Sequence, residues 1–148
     1  MDHSLLKIVA AGLCVAACSS EVTGPVTPAD VIGRYELISV GGQDLPVAWP
    51  IGQPPRVLLT ADTIWLHPDS SYEQHQHREV IGPAPLYLIG RFSVSGTQLT
   101  LIETDRLDDP ITAAPIPGKI PPAPPLHLIV GSGKAQMEYV RRCAGTAC

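Results

Sequence analysis

The chain has 148 residues and a formal net charge of −4, one small-domain length with no basic patch, so nucleic acid is not expected as a partner. Aromatic residues make up only 5% while there are 16 prolines and 13 glycines, which predicts short elements joined by stiff loops. Nothing repeats at a fixed period, so a solenoid or array is excluded.

In chain order, the first feature is a short basic start, Met1 to Lys7, followed by the apolar run Ile8 to Ala17 and then Cys18. The run is far short of the ~20 residues that span a bilayer. The small residues of Val15-Ala16-Ala17 suit a signal-peptide cleavage site. Small residues followed at once by a cysteine resemble the lipobox of bacterial lipoproteins. That resemblance implies that Cys18 is acylated, that the peptide is cut before it, and that the new amine is acylated too. It also implies, from Ser19 at the next position, sorting to the outer membrane facing the periplasm. Several acyl chains suffice for stable anchoring, where one binds only marginally. The alternative is an ordinary secretory signal cut near Ala17.

The expected organisation is therefore a signal peptide at 1–17, a lipidated tether at 18–30 and a β domain at 31–148. Gly24, Pro25 and Pro28 mark the tether. With Cys14 removed and Cys18 lipidated, Cys143 and Cys148 remain as an even pair in an oxidising compartment. A local disulfide is the simplest reading; a metal pair is the sharper one, but its spacing is too loose for a zinc knuckle.

The domain opens with Val31 to Val40, where Tyr35 and Leu37 share one strand face and Arg34 and Glu36 the other. Gly41-Gly42 ends it, and Gln43 to Pro55 is a proline-rich loop carrying Trp49. Arg56 to Thr60 and Asp62 to His67 form two short strands or one long bent strand. Pro68-Asp69-Ser70 is a turn, and Ser71 to Val80 a strand. Leu86 to Val94 and Gln98 to Thr104 form the clearest hairpin. Asp105 to Pro125 carries seven prolines, so it is expected to stay out of any central strand and run as a polyproline-like excursion over the surface. Leu126 to Val130 and Ala135 to Arg142 close the chain as a hairpin around Gly131-Ser132-Gly133. About seven to eight short strands separated by turn signals, with no helical period, predict an all-β barrel or sandwich.

The pattern Gly33-Arg34-Tyr35, then Leu37, Ser39-Val40-Gly41-Gly42 and Leu45-Pro46, is similar to the start of lipocalin-like (calycin-type) lipoproteins. Leu66-x-Pro68-Asp69-x-x-Tyr72 and Gly90-Arg91-Phe92-x-Val94-x-Gly96-x-x-Leu99 resemble their central hairpins. The resemblance covers most of Gly33 to Arg142, with Tyr35 where lipocalins carry Trp and without their terminal helix. It implies an antiparallel up-and-down barrel, with a β-sandwich as the alternative. It also implies barrel closure by Gly33, Tyr35 and Arg141, the arginine stacking across Tyr35.

Candidate sites follow from register. If His67 pairs with Ser71, then Leu66 meets Tyr72 and Ile64 meets Gln74. Tyr72, Gln74, Gln76 and Arg78 then face inward, where they either line a partly polar ligand cavity or sit exposed at the rim. His75 and His77 face outward with Trp65; with Glu73 they form either a zinc site or, as two imidazoles alone suggest, a solvated strand face. Trp49 gates the cavity or caps a core edge. Asp105, Asp108 and Asp109 lack the spacing of a calcium loop and read as a solvated acidic loop.

No nucleophile signature, phosphate loop or catalytic carboxylate pair is present, so neither an enzyme nor a cofactor is expected. Two functions compete. One is a membrane-anchored envelope lipoprotein holding a small apolar or amphipathic ligand in the barrel. The other is a structural or protein-interaction lipoprotein with a filled core. A connected cavity beneath Gln43 to Pro55 points to the first; a filled core with an exposed apolar patch points to the second.

Overall fold

Alternating strands, each with one apolar face, need a closed surface on which to bury it, and here they find it by closing on themselves. The computed structural model describes residues 25–49, 57–79, 86–106, 109–110, 112–121 and 127–142. A single turn of helix, α1 (Pro28–Val31), precedes β1 (Gly33–Val40), β2 (Gln43–Asp44), β3 (Val47–Trp49), β4 (Val57–Leu66) and β5 (Ser71–Glu79). After these come β6 (Leu86–Ser95), β7 (Gln98–Arg106), β8 (Asp109–Pro110), β9 (Ile116–Lys119), β10 (His127–Val130) and β11 (Met137–Arg142).

All pairings are antiparallel, and β1 pairs with β11 on one side and β4 on the other. The result is a closed eight-stranded barrel of β1, β4, β5, β6, β7, β9, β10 and β11 in meander order, not a sandwich. The short β2, β3 and β8 decorate β1, β4 and β7. Among the described residues no helix is long and apolar enough to cross a membrane.

Local chemistry explains the corners. At the β4–β5 turn the Asp69 carboxylate accepts hydrogen bonds from the Ser71 N–H (3.0 Å) and hydroxyl (2.6 Å), and His67 N–H donates to the Ser71 carbonyl. Gly96 supplies the positive φ that the tight β6–β7 turn requires. Register shifts at Leu37/Ser39, Leu59/Ala61 and Ile89/Gly90 curve the wall. The second of these is why 57–66 is one bent strand.

Two expectations are corrected. The first strand starts at Gly33, because Pro28 at the start of α1 and the Thr27–Asp30 capping contacts turn the preceding residues into helix. More substantially, the proline-rich segment does enter the barrel wall: Ile116–Lys119 pairs with β7 and β10. Pro117 is tolerated for a stereochemical reason. Its carbonyl accepts the Gly131 N–H, so strand alternation points its nitrogen to that same side, where the ladder to β10 has ended. No bond to β7 is lost.

The core runs through the barrel. Tyr35, Leu59, Ile64, Leu66, Tyr72, Leu99, Leu101, Leu128 and Tyr139 are all buried. Gly90 makes room for the Tyr72 ring, since a Cβ there would collide with that ring and with the Ile102 carbonyl. The end where β1 begins is plugged by α1, with Val31 buried against the barrel. The other end is where β1 and β5 leave the wall and β4 and β6 return.

Candidate functional site

The inward face of β5 carries Tyr72, Gln74, Gln76 and Arg78 in order from the α1 end. The observed register sets Leu66 opposite Tyr72, Ile64 opposite Gln74 and Asp62 opposite Gln76. The glutamines do not line a void. Gln74 Nε2 donates to Asp62 Oδ2 at 2.7 Å and Gln76 Nε2 to the same oxygen at 2.8 Å. The Tyr139 hydroxyl is the third donor, at 2.9 Å, and lies 3.2 Å from Gln74 Nε2. Arg78 is half-buried and donates to Gln76 Oε1. Glu103 on β7 is buried as well.

This network shapes the electrostatics. Burial pushes the Asp62 carboxyl up to about 6, although Gln74, Gln76, Tyr139 and the Thr63 backbone pull it back toward the ionised form. Burial, and then the nearby Asp62 charge, raise the Tyr139 hydroxyl well above its ordinary value. Burial pushes Tyr72 up to about 12, with the Glu103 charge adding to it.

Packing around the network is tight. Tyr35, Val40, Leu59, Ile64, Leu128 and Tyr139 have no exposed surface at all, and Tyr72, Leu99 and Leu101 only about 1%. A void large enough for one water would register as exposed surface on the side chains lining it. Among these residues the barrel is therefore solid.

At the closed end, Tyr35 and Arg141 are direct cross-strand partners. The arginine guanidinium lies against Gly33, where a Cβ would come within 2.9 Å of Nε. It donates to the carbonyls of Asp30 (3.1 Å) and Ile32 (2.5 Å), tying α1 to the last strand. It thus caps the backbone at the end of α1. The Tyr35 hydroxyl donates to the Val31 carbonyl at 2.8 Å, and burial pushes its pKa up to about 12.

The outer wall carries a second constellation. Trp65, Tyr87, Ile89 and Ile102 each leave about two-fifths of their surface exposed. His75 sits edge-on between Trp65 and Tyr87, with ring centroids 5.9 and 4.5 Å away. The Arg34 guanidinium lies 5.5 Å from the Trp65 ring centre. Glu73 reaches His67 and His75, each at 3.5 Å. His77 is exposed and outside this group. Among the described residues no group of three His, Cys, Asp or Glu side chains is placed to hold a metal ion.

Trp49 belongs to β3, opposite Val57. Asp105 lies on β7 and Asp109 on β8. Cys18, Asp108, Cys143 and Cys148 lie outside the described residues. Two surface depressions are formed by Gln98, Lys119 and Gln136 and by His67, Asp69 and Glu73; neither adjoins the Asp62 network.

Sequence reasoning missed Asp62, Glu103 and the role of Tyr139. The signal was available: Asp62 shares a strand face with Ile64 and Leu66, as Glu103 does with Leu99 and Leu101. Comparison with protein-family models, with curated proteins and with solved structures finds no match to this chain.

Proposed function

We propose that this chain is a non-enzymatic lipoprotein of the bacterial envelope, anchored through Cys18 to the outer membrane. Its barrel acts as a solid interaction module, working through its outer wall. One observation carries the choice over a ligand carrier. Gln74, Gln76 and Tyr139, which a ligand pocket would need free, all donate to Asp62 Oδ2, and Tyr35, Leu59, Ile64, Leu128 and Tyr139 beside them have no accessible surface. An eight-stranded barrel is just wide enough either to be filled by side chains or to hold one small ligand, and among the described residues the interior of this one is occupied by side chains. The exposed Trp65–Tyr87–Ile89 face supports the same reading, because exposed apolar patches mark interaction sites. The eight-stranded meander also supports the lipocalin-like resemblance, but a shared architecture does not carry a shared activity.

Native mass spectrometry of the mature protein, purified from its own host in mild detergent, tests the proposal. The expected spectrum shows the lipidated chain with no stoichiometric small molecule. A defined extra mass that dissociates on unfolding would restore the ligand-carrier reading.

A further inference from the structure

We propose that the outer strip formed by Trp65, Tyr87, Ile89 and Ile102 rests in the headgroup layer of the bilayer that anchors the chain. This deepens the interaction-module reading and rests on the anchor at Cys18. Three observations converge on it.

The first is composition and continuity. Across the barrel wall Trp65 faces Glu73, which faces Ile89; one step along, His75 faces Tyr87. Ile102 follows beside Arg91, where Thr104 bulges out of β7 with its hydroxyl oxygen 3.3 Å from the Ile89 carbonyl. Trp and Tyr, with an apolar body and a polar edge, favour the membrane–water interface, and the isoleucines add buried apolar area.

The second is charge. A carboxylate carried into the interface unpaired would oppose docking. Of the carboxylates bordering the strip, Glu36 is neutralised by Arg34 and Arg142, while Glu73 and Asp105 have polar neighbours. Glu73 lies between His67 and His75, whose imidazoles offset it only when protonated, and Asp105 accepts from the Thr104 hydroxyl. The exposed cations Arg34 and Arg91 flank the strip and suit anionic headgroups.

The third is reach. Trp65 is the cross-strand partner of Arg34, the second residue of β1, so the chain enters the barrel beside the strip. From Cys18 to Pro25 the chain can extend at most ~25 Å. A barrel held that close meets the bilayer at a high effective concentration. The opposite flank of β1 offers one exposed isoleucine, Ile38, among Glu138 and Arg142, so the larger cluster of exposed apolar side chains lies on the β4–β7 side.

The test uses the lipidated mature protein carrying Trp49→Phe, so that Trp65 is the sole tryptophan. It is reconstituted into vesicles of phosphatidylethanolamine and phosphatidylglycerol, with or without brominated acyl chains. Flotation with the vesicles is measured first. The expected result is flotation, Trp65 emission lowered by about twofold or more in brominated vesicles, and a comparable loss of quenching by aqueous acrylamide. Ile89→Glu/Ile102→Glu, both at outward positions, should still float through the anchor but lose the bromine quenching. Flotation with unchanged Trp65 emission would overturn the proposal while leaving the anchor intact. Acrylamide protection without bromine quenching would assign the strip to a second copy or another protein, and would overturn it equally. Failure to float would overturn the anchor itself and the docking with it.

Discussion

Asp62 is the residue whose placement most shapes the behaviour of the protein. Its carboxyl is pushed up to about 6 in the folded state, above the ordinary aspartate value, because burial outweighs the hydrogen bonds it accepts. The folded state therefore binds a proton more tightly than the unfolded chain does. The stabilisation from this proton is fully present below about pH 4 and is lost as pH rises through about 6. The loss should be on the order of 3 kcal/mol. Asp62→Asn removes the titration while keeping an oxygen able to accept from Gln74 and Gln76. Urea unfolding of both proteins between pH 4.5 and 7.5 should show stability falling with pH in the parent relative to the variant. Parallel profiles would contradict the assignment. The register that points Gln74 and Gln76 inward was legible in the sequence through the Leu66–Tyr72 pairing. What they would touch was not. Whether polar inward residues line a cavity or bond to each other depends on Asp62 and Tyr139, and Tyr139 reaches them only because the barrel brings β11 around to them.

At the scale of elements, the seam between β1 and β11 is held by more than its ladder. Arg141 donates to two carbonyls at and just after the end of α1, and the Tyr35 hydroxyl donates to a third. Tyr35→Phe should cost about 1 kcal/mol for the lost hydrogen bond, and Tyr35→Ala about 3 kcal/mol or more for the cavity. A double-mutant cycle with Arg141→Met should show coupling of at least about 0.5 kcal/mol, since both side chains fix α1 over the same end. Coupling indistinguishable from zero would mean that the two act separately. The pairing of first and last strands was legible from Gly33-Arg34-Tyr35 and the late arginine. The destination of the guanidinium was not, because α1 is a single turn with no periodicity to announce it. The entry of Pro117 into the wall was hidden for a related reason. The rule that excludes proline from central strands holds only where its missing N–H faces a partner strand.

At the scale of the molecule, the proposed anchor and the solid barrel make separable claims. Cys18→Ser should move the protein from the membrane to the soluble fraction and abolish lipid labelling, with the far-ultraviolet spectrum of the barrel unchanged. Continued membrane retention with labelling intact would place the anchor elsewhere. Seven of the eight ladders in the barrel join strands consecutive around the meander, while the β1–β11 ladder alone joins its two ends. In folding terms, the first seven can form by short loop closures, whereas the last must bring together the most distant parts of the domain. The ring should therefore close late, as a single cooperative event. A chain that stops before β11 would then be left as an open sheet with two unprotected edges.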